Sequence, residues 1–191
     1  MSFHKEKNIK VGNIVEKSLN GLKSRLENDG ILLIQNEEGY VEPNKFSFNP
    51  PASLSQIKRF KDETGLILPA DYQSFLLLHN GARLFVHPYY GGGVELLSLE
   101  QMLEYRFDYL PDGCFIIAYL FDGCQVIIDT NRYQEGNKTS YLWYLDSCCP
   151  FDDALDLHMN FELWLDRLII AQGCGYWHWP SSTGNSYYKQ R

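Results

Sequence analysis

Ile57-Lys-Arg-Phe60-Lys-Asp-Glu63-Thr-Gly65-Leu-Ile-Leu68-Pro69-Ala-Asp71-Tyr72-Gln-Ser-Phe75-Leu76-Leu-Leu-His79-Asn80-Gly81 reads as two short helices joined by a tight connection. Ser53 opens the first helix, and Gln56 stands three residues on, at capping-box spacing. Leu54, Ile57 and Phe60 mark its buried stripe. Gly65 ends it, because glycine takes the left-handed conformation after a last helical turn without a steric cost. Pro69 is placed as the first residue of the second helix, where a missing N–H is no loss. Tyr72, Phe75, Leu76 and His79 follow at i, i+3, i+4 and i+7 and so share one face, and Asn80-Gly81 is the stop.

Upstream, Val15, Leu19, Leu22 and Leu26 recur at helical spacing, with Asn13 and Glu16 as a capping-box variant and Asp29-Gly30 as the stop. Residues 31–35 and 40–48 read as a hairpin with its turn at 36–39, and Pro50-Pro51 separates this portion from the rest. Downstream the pattern changes to strands, at residues 84–86, 94–97, 114–121, 124–129 and 141–145. Asp122-Gly123 lies between two apolar runs and is a strong hairpin turn, since both central positions need positive φ. Ser98 with Gln101 starts a short helix reaching Arg106. Asn160 caps a last helix that carries Phe161, Trp164, Leu165 and Leu168 and closes at Gly173. Residues 174–191 are aromatic and then polar; Trp177 and Trp179 suggest docking onto the body, with fraying beyond Pro180. The order of elements is that of an α+β protein.

The helix pair and its surroundings resemble the SUKH superfamily, which includes the fungal Smi/Knr cell-wall assembly regulators and many bacterial proteins. That family's pattern is an apolar helix ending in Gly, then Leu-Pro, an acidic residue and Tyr, then Phe-Leu, then Asn-Gly. Gly65, Leu68-Pro69, Asp71-Tyr72, Phe75-Leu76 and Asn80-Gly81 match it. Glu95-Leu96-Leu97-Ser98-Leu99, the strands around Ile116 and Val126–Asp129, and Asn160-Phe161-Glu162-x-Trp164-Leu165 follow in the right order, with Asn160 where the family usually has Ser. The resemblance covers about residues 50–171. It implies helices packed on a mostly antiparallel (mixed) β-sheet, in a single domain with an N-terminal helix and hairpin addition. The chain then divides into an addition at 1–49, a SUKH-like body at 50–172 and a tail at 173–191. For bacterial members the resemblance also implies an immunity role, in which the protein binds a cognate toxin domain, often a nuclease, without a catalytic centre. Partner-contacting residues do not carry over, because they vary with the toxin.

Composition narrows the setting. With 191 residues, 45% apolar, 21% charged and 15% aromatic, the chain has the make-up of a folded globular protein. No apolar run approaches the roughly 20 residues that span a bilayer, and the charged start from Met1 to Lys10 does not look like a signal peptide. Five cysteines without a repeated spacing fit reduced thiols, hence a cytoplasmic location. The net charge of −7 is unevenly placed. Up to Arg83 there are 11 basic and 10 acidic residues; beyond it there are 6 and 14. Such a surface repels a phosphate backbone and attracts a basic protein, so no direct nucleic acid and no membrane are expected as partners. The plain alternative is that an acidic surface only keeps the protein soluble.

Asp108, Asp112, Asp122, Asp146, Asp152, Asp153 and Asp156 fall in loops or at strand ends, where they can face a basic partner. Tyr89, Tyr90, Trp177 and Trp179 could supply aromatic anchors. Singly, each acid reads as a turn residue or a solvated charge; the collective excess is what points to an interface.

No catalytic, cofactor or metal site is expected. Gly91-Gly92-Gly93 is neither a dinucleotide-binding nor a P-loop pattern. His79 reads as a satisfied core or helix-end histidine. His87, beside the glycines, is the better functional candidate, yet it lacks a nucleophile or carboxylate at readable spacing. Cys148-Cys149 cannot form a C-x-x-C half-site, Cys174 and His178 have no second ligand pair, and Ser181 and Ser182 lie in the tail. The preferred expectation is therefore an immunity protein that occludes a basic toxin domain, as a monomer or weak homodimer. The alternatives are a Smi/Knr-type regulator or scaffold in signalling or envelope assembly, and a small hydrolase or transferase around His87.

Overall fold

Each strand pairs only with its neighbours in the chain, so the architecture follows the order of the sequence. The computed structural model describes residues 10–27, 29–36 and 39–179. Its eight strands are β1 (Ile31–Gln35), β2 (Val41–Phe48), β3 (Ala82–Val86), β4 (Val94–Leu96), β5 (Cys114–Tyr119), β6 (Gln125–Asp129), β7 (Leu142–Leu145) and β8 (Leu155–Asp156). They form one sheet in that order, and every pair is antiparallel. The helices are α1 (Asn13–Lys23), α2 (Leu54–Thr64), α3 (Ala70–Leu78), α4 (Leu99–Glu104), α5 (Thr130–Gln134) and α6 (Phe161–Ile170). The protein is thus α+β, and its sheet is antiparallel throughout the described residues rather than mixed.

This order sends alternate connections to opposite ends of the sheet, because each strand reverses direction. The β1–β2, β3–β4, β5–β6 and β7–β8 links share one end. The other end carries α2 and α3 between β2 and β3, α4 between β4 and β5, and α5 between β6 and β7.

Both faces of the central strands are covered. Phe115 pairs with Ile128 in the ladder and meets Phe60 of α2 at 5.1 Å. Tyr119 pairs with Gln125, an odd position of β6 that points to the opposite face. There the segment following α4 folds back, with Tyr105 against Tyr119 and the Tyr109 hydroxyl on the Gln125 amide. β5 and β6 therefore read as nearly continuous apolar runs. On the helical side, α1 lies on α3 and α6 through Val15, Leu19 and Leu22, while Tyr72 and Phe75 meet Phe161 at 4.8 and 5.3 Å.

Local signals are realised where their partners are local. Ser53–Gln56 and Ser98–Gln101 both form complete capping boxes, and Asn160 caps α6 by accepting from the Leu163 N–H at 3.1 Å. Gly65 and Asp122-Gly123 take the expected positive φ. Elsewhere the structure differs from expectation. Leu54 is 73% exposed, so the inward stripe of α2 reduces to buried Phe60 with Ile57 partly buried beside the core. Pro69 is the N-cap of α3 rather than its first residue, and His79 is its C-cap. Asn13 is the first helical residue of α1, not its cap: Gly12 holds that position with φ 85°, and its N–H donates to Glu162 Oε2 at 3.0 Å. α1 also stops at Lys23, before Asp29-Gly30. Residues 37 and 38 of the hairpin turn, the charged start at 1–9 and the tail at 180–191 lie outside the described residues.

Asp71, the acidic position of the helix-pair pattern, is buried at 2% exposure. Its carboxylate accepts from the Tyr72 N–H at 2.9 Å, the Glu162 N–H at 3.0 Å and the Tyr141 hydroxyl. Tyr141 in turn accepts from the Phe161 N–H at 3.1 Å. Glu162, held this way, satisfies the start of α1. Caps thus run from α3 to α6 to α1, answering helix N–H groups that would otherwise be orphaned in the core.

Candidate functional site

Three hairpin tips stand side by side at the end of the sheet away from α2–α5. In the β3–β4 tip, His87 bridges to Gly91, and its Nδ1 accepts from the Tyr89 and Tyr90 N–H groups at 3.2 Å each. The His87 ring also stacks on Tyr90 at 4.6 Å. The loop is therefore braced from within, while Tyr89 and Tyr90 stand 86% and 88% exposed. Gly93 has φ 89°, and a Cβ there would come within 2.6 Å of the Leu84 carbonyl oxygen.

The neighbouring tip is the β5–β6 turn. A Cβ at Gly92 would sit 3.2 Å from the Phe121 ring, which shows how closely the two tips approach. Asp122 (φ 58°) and Gly123 (φ 77°) form the turn, and Gly123 lies beside Ser147 of the β7–β8 connection. In that connection Asp146 accepts from the Cys148 N–H at 3.1 Å, and Asp152 and Asp153 lie in a short 3-10 turn. A further 3-10 turn, Tyr176–His178, closes the end from the C-terminal side, with Trp177 against Tyr144 at 5.7 Å and Trp164 at 6.5 Å.

The structure therefore gathers Tyr89, Tyr90, Asp122, Asp146, Asp152, Asp153, Trp177 and Trp179 at one end. Residues 87–93, 120–124 and 146–154 hold these four carboxylates and no Lys or Arg. Asp108 and Asp112 belong to the β4–β5 connection at the opposite end. Asp156 is inside β8, half-buried, with its Oδ2 2.7 Å from Arg132 Nη1. Phe121, 49% exposed between Gly92 and Asp122, completes the aromatic surface and is not among the residues that the sequence singles out. Strand order alone could have found it, since it flanks the Asp122-Gly123 turn.

The other candidates have fold partners. His79 Nδ1 is 2.9 Å from the Asn49 carbonyl oxygen, and Lys23 Nζ contacts its Nε2. Burial, then the nearby Lys23 charge, hold the imidazole below the usual histidine range despite that carbonyl. Burial, together with Asp129, pushes the Cys114 thiol up to about 12. No disulfide joins any of the five cysteines. Among the described residues no three His, Cys, Asp or Glu side chains converge to hold a metal, and no helix is long and apolar enough to cross a membrane.

Residues 51–167 match the model of the SMI1 / KNR4 family (SUKH-1). Two proteins of Bacillus subtilis (strain 168) are similar over most of the chain. "Uncharacterized protein YnaB" is 39% identical over 150 residues, spanning 78% of this chain and 97% of its own length. "Uncharacterized protein YobM" is 35% identical over 187 residues, spanning 94% and 99%.

Proposed function

Since the chain belongs to the SMI1 / KNR4 family (SUKH-1), we propose that it acts as an immunity protein, occluding a basic toxin domain one-to-one through the hairpin end of its sheet. The observation that carries this reading is the make-up of that end. Four exposed carboxylates and no Lys or Arg surround four exposed aromatic rings, Tyr89, Tyr90, Phe121 and Trp179. A nuclease domain must present cations where phosphates bind, and a surface of this kind is complementary to them in charge. Aromatic side chains add contact area at small entropic cost, and they dominate interface energetics. Braced tips lose little freedom on binding, which favours tight association.

The proposed action is occlusion, with no bond made or broken. His87 supports that reading, since its Nδ1 is taken up by two amides of its own loop. The test is a search of the genes adjacent to this one for a secreted protein with a toxic C-terminal domain, followed by co-expression of that domain with this chain. Survival of the cells and a 1:1 complex by light scattering are expected. Cell death at full expression of both chains would overturn the reading and leave the regulator or scaffold role as the better account.

A further inference from the structure

We propose that the cleft between the β5–β6 turn and the Tyr176–His178 turn receives one arginine side chain of the protein's partner. This rests on the immunity reading and names the recognition element within it. The cleft encloses about 190 Å³ and is walled by Leu120, Phe121, Tyr144, Trp177 and His178, with Asp122 also lining it. Three of its rings are mutually inclined. Tyr144 meets His178 at 4.7 Å and 82°, and Trp177 at 5.7 Å and 46°, while Trp177 meets His178 at 5.8 Å and 56°.

Three features select the occupant. The first is size: a space of this volume takes one long side chain and excludes a helix or strand. The second is the character of the walls. Aromatic faces carry negative potential and attract cations, and a guanidinium, being planar and weakly hydrated, stacks on them better than an ammonium does. The third is charge. Asp122 offers a carboxylate to the guanidinium fork, and no Lys or Arg of the three loops competes for it. An anionic occupant would be repelled by the Asp122 carboxylate and by the negative faces of the rings, and a neutral aliphatic one would leave Asp122 without a cation.

Tip and wall are also held in place. Asp122 sits at φ 58° within a two-residue turn, and Trp177 is wedged between Tyr144 and Trp164. A receptor fixed before binding loses less freedom when the ligand arrives.

The test is an NMR titration of the full chain with N-acetyl-arginine amide, using N-acetyl-citrulline amide as the neutral isostere. Saturable shifts at the Gly123 and Cys124 amides and the Trp177 indole N–H are expected, with arginine bound about tenfold more tightly than citrulline. Asp122→Asn keeps the turn, because asparagine tolerates positive φ, and should weaken the arginine probe about threefold. Phe121→Ala removes one wall at an exposed position and should also weaken it. Equal shifts with citrulline, or no saturable shift at those groups, would overturn the proposal. The titration contains no toxin, so the two readings fail separately. Protected cells without arginine binding would remove the cleft and keep the immunity role. Arginine binding without protection would do the reverse.

Discussion

Asp71 and Asp122 are the same residue type put to opposite uses. Asp71 is 2% exposed, accepts from three donors and joins two helices and a strand-end tyrosine. Asp122 is exposed at the tip of a hairpin, in a turn that asks of it only a left-handed backbone. The contrast extends to their surroundings. The helix-pair pattern that places the chain in its family spends its buried acid on internal caps, so that residue takes no part in an outward-facing surface. The hairpin end has few such obligations, and its carboxylates are free to be chosen for what they meet outside.

The sharpest way to break this contrast is to remove Asp71. Asp71→Ala leaves the Tyr141 hydroxyl and the Glu162 N–H buried without their acceptor, and it loosens the residue that caps α1. A loss of about 3–5 kcal/mol is expected in urea denaturation, a large share of a stability of about 5–15 kcal/mol. A loss under about 1 kcal/mol would mean that the chain of caps does not hold the helices together.

Gly93→Ala asks whether the hairpin end is itself rigid. An alanine there combines φ 89° with a Cβ only 2.6 and 2.7 Å from two backbone oxygens, those of Leu84 and Phe85. About 2–3 kcal/mol of destabilisation should follow, seen as a lower thermal midpoint. A wild-type midpoint would show that the β3–β4 tip shifts freely, and the argument from braced tips would lose its basis.

How far the two regions could be read from the sequence also differs. Ser53, Ser98 and Asn160 were legible as caps because their bonds close within three residues, and the Asp122-Gly123 turn because positive φ leaves few residue choices. The cap of α1 was not, since its acceptor, Glu162, lies 150 positions away. α5 and β8 were too short for periodicity to register, with five and two residues. The candidate acids and aromatics were legible as residue types, but their grouping was not. Only the neighbour-by-neighbour strand order puts Tyr89, Asp122 and Asp146 at one end and Asp108 and Asp112 at the other.

Neutralising the tips separates their charge from their fold. In Asp122→Asn combined with Asp152→Asn and Asp153→Asn, stability should stay within about 0.5 kcal/mol of wild type, because all three side chains are exposed. Association with the proposed basic toxin domain should slow about tenfold at low salt and converge with wild type at high salt. An unchanged rate in stopped flow would detach the acidic tips from recognition.

Asp156 lies on the border between the two regions, which makes its smaller effect the finer test. It was a candidate for the interface, yet the structure pairs it with Arg132 and gives it the His158 N–H at 2.7 Å. Burial alone would push its carboxyl up; the His158 N–H and the Arg132 guanidinium outweigh that and hold it below the usual carboxylate range. The folded state then binds fewer protons than the unfolded chain between the two values. Its stabilisation is complete above about pH 4 and is lost as pH falls through the folded value. Glu162 has the opposite sign, because burial and then the charge of Asp71 raise its carboxyl despite the Gly12 N–H, so acidification eases its strain. That contribution is common to wild type and Asp156→Asn, and it cancels in their difference. The variant should therefore be about 1 kcal/mol less stable at neutral pH, with the gap closing in acid and toxin association unchanged. Slower association with full stability would instead place Asp156 among the recognition residues, and the border would have to be redrawn to include β8.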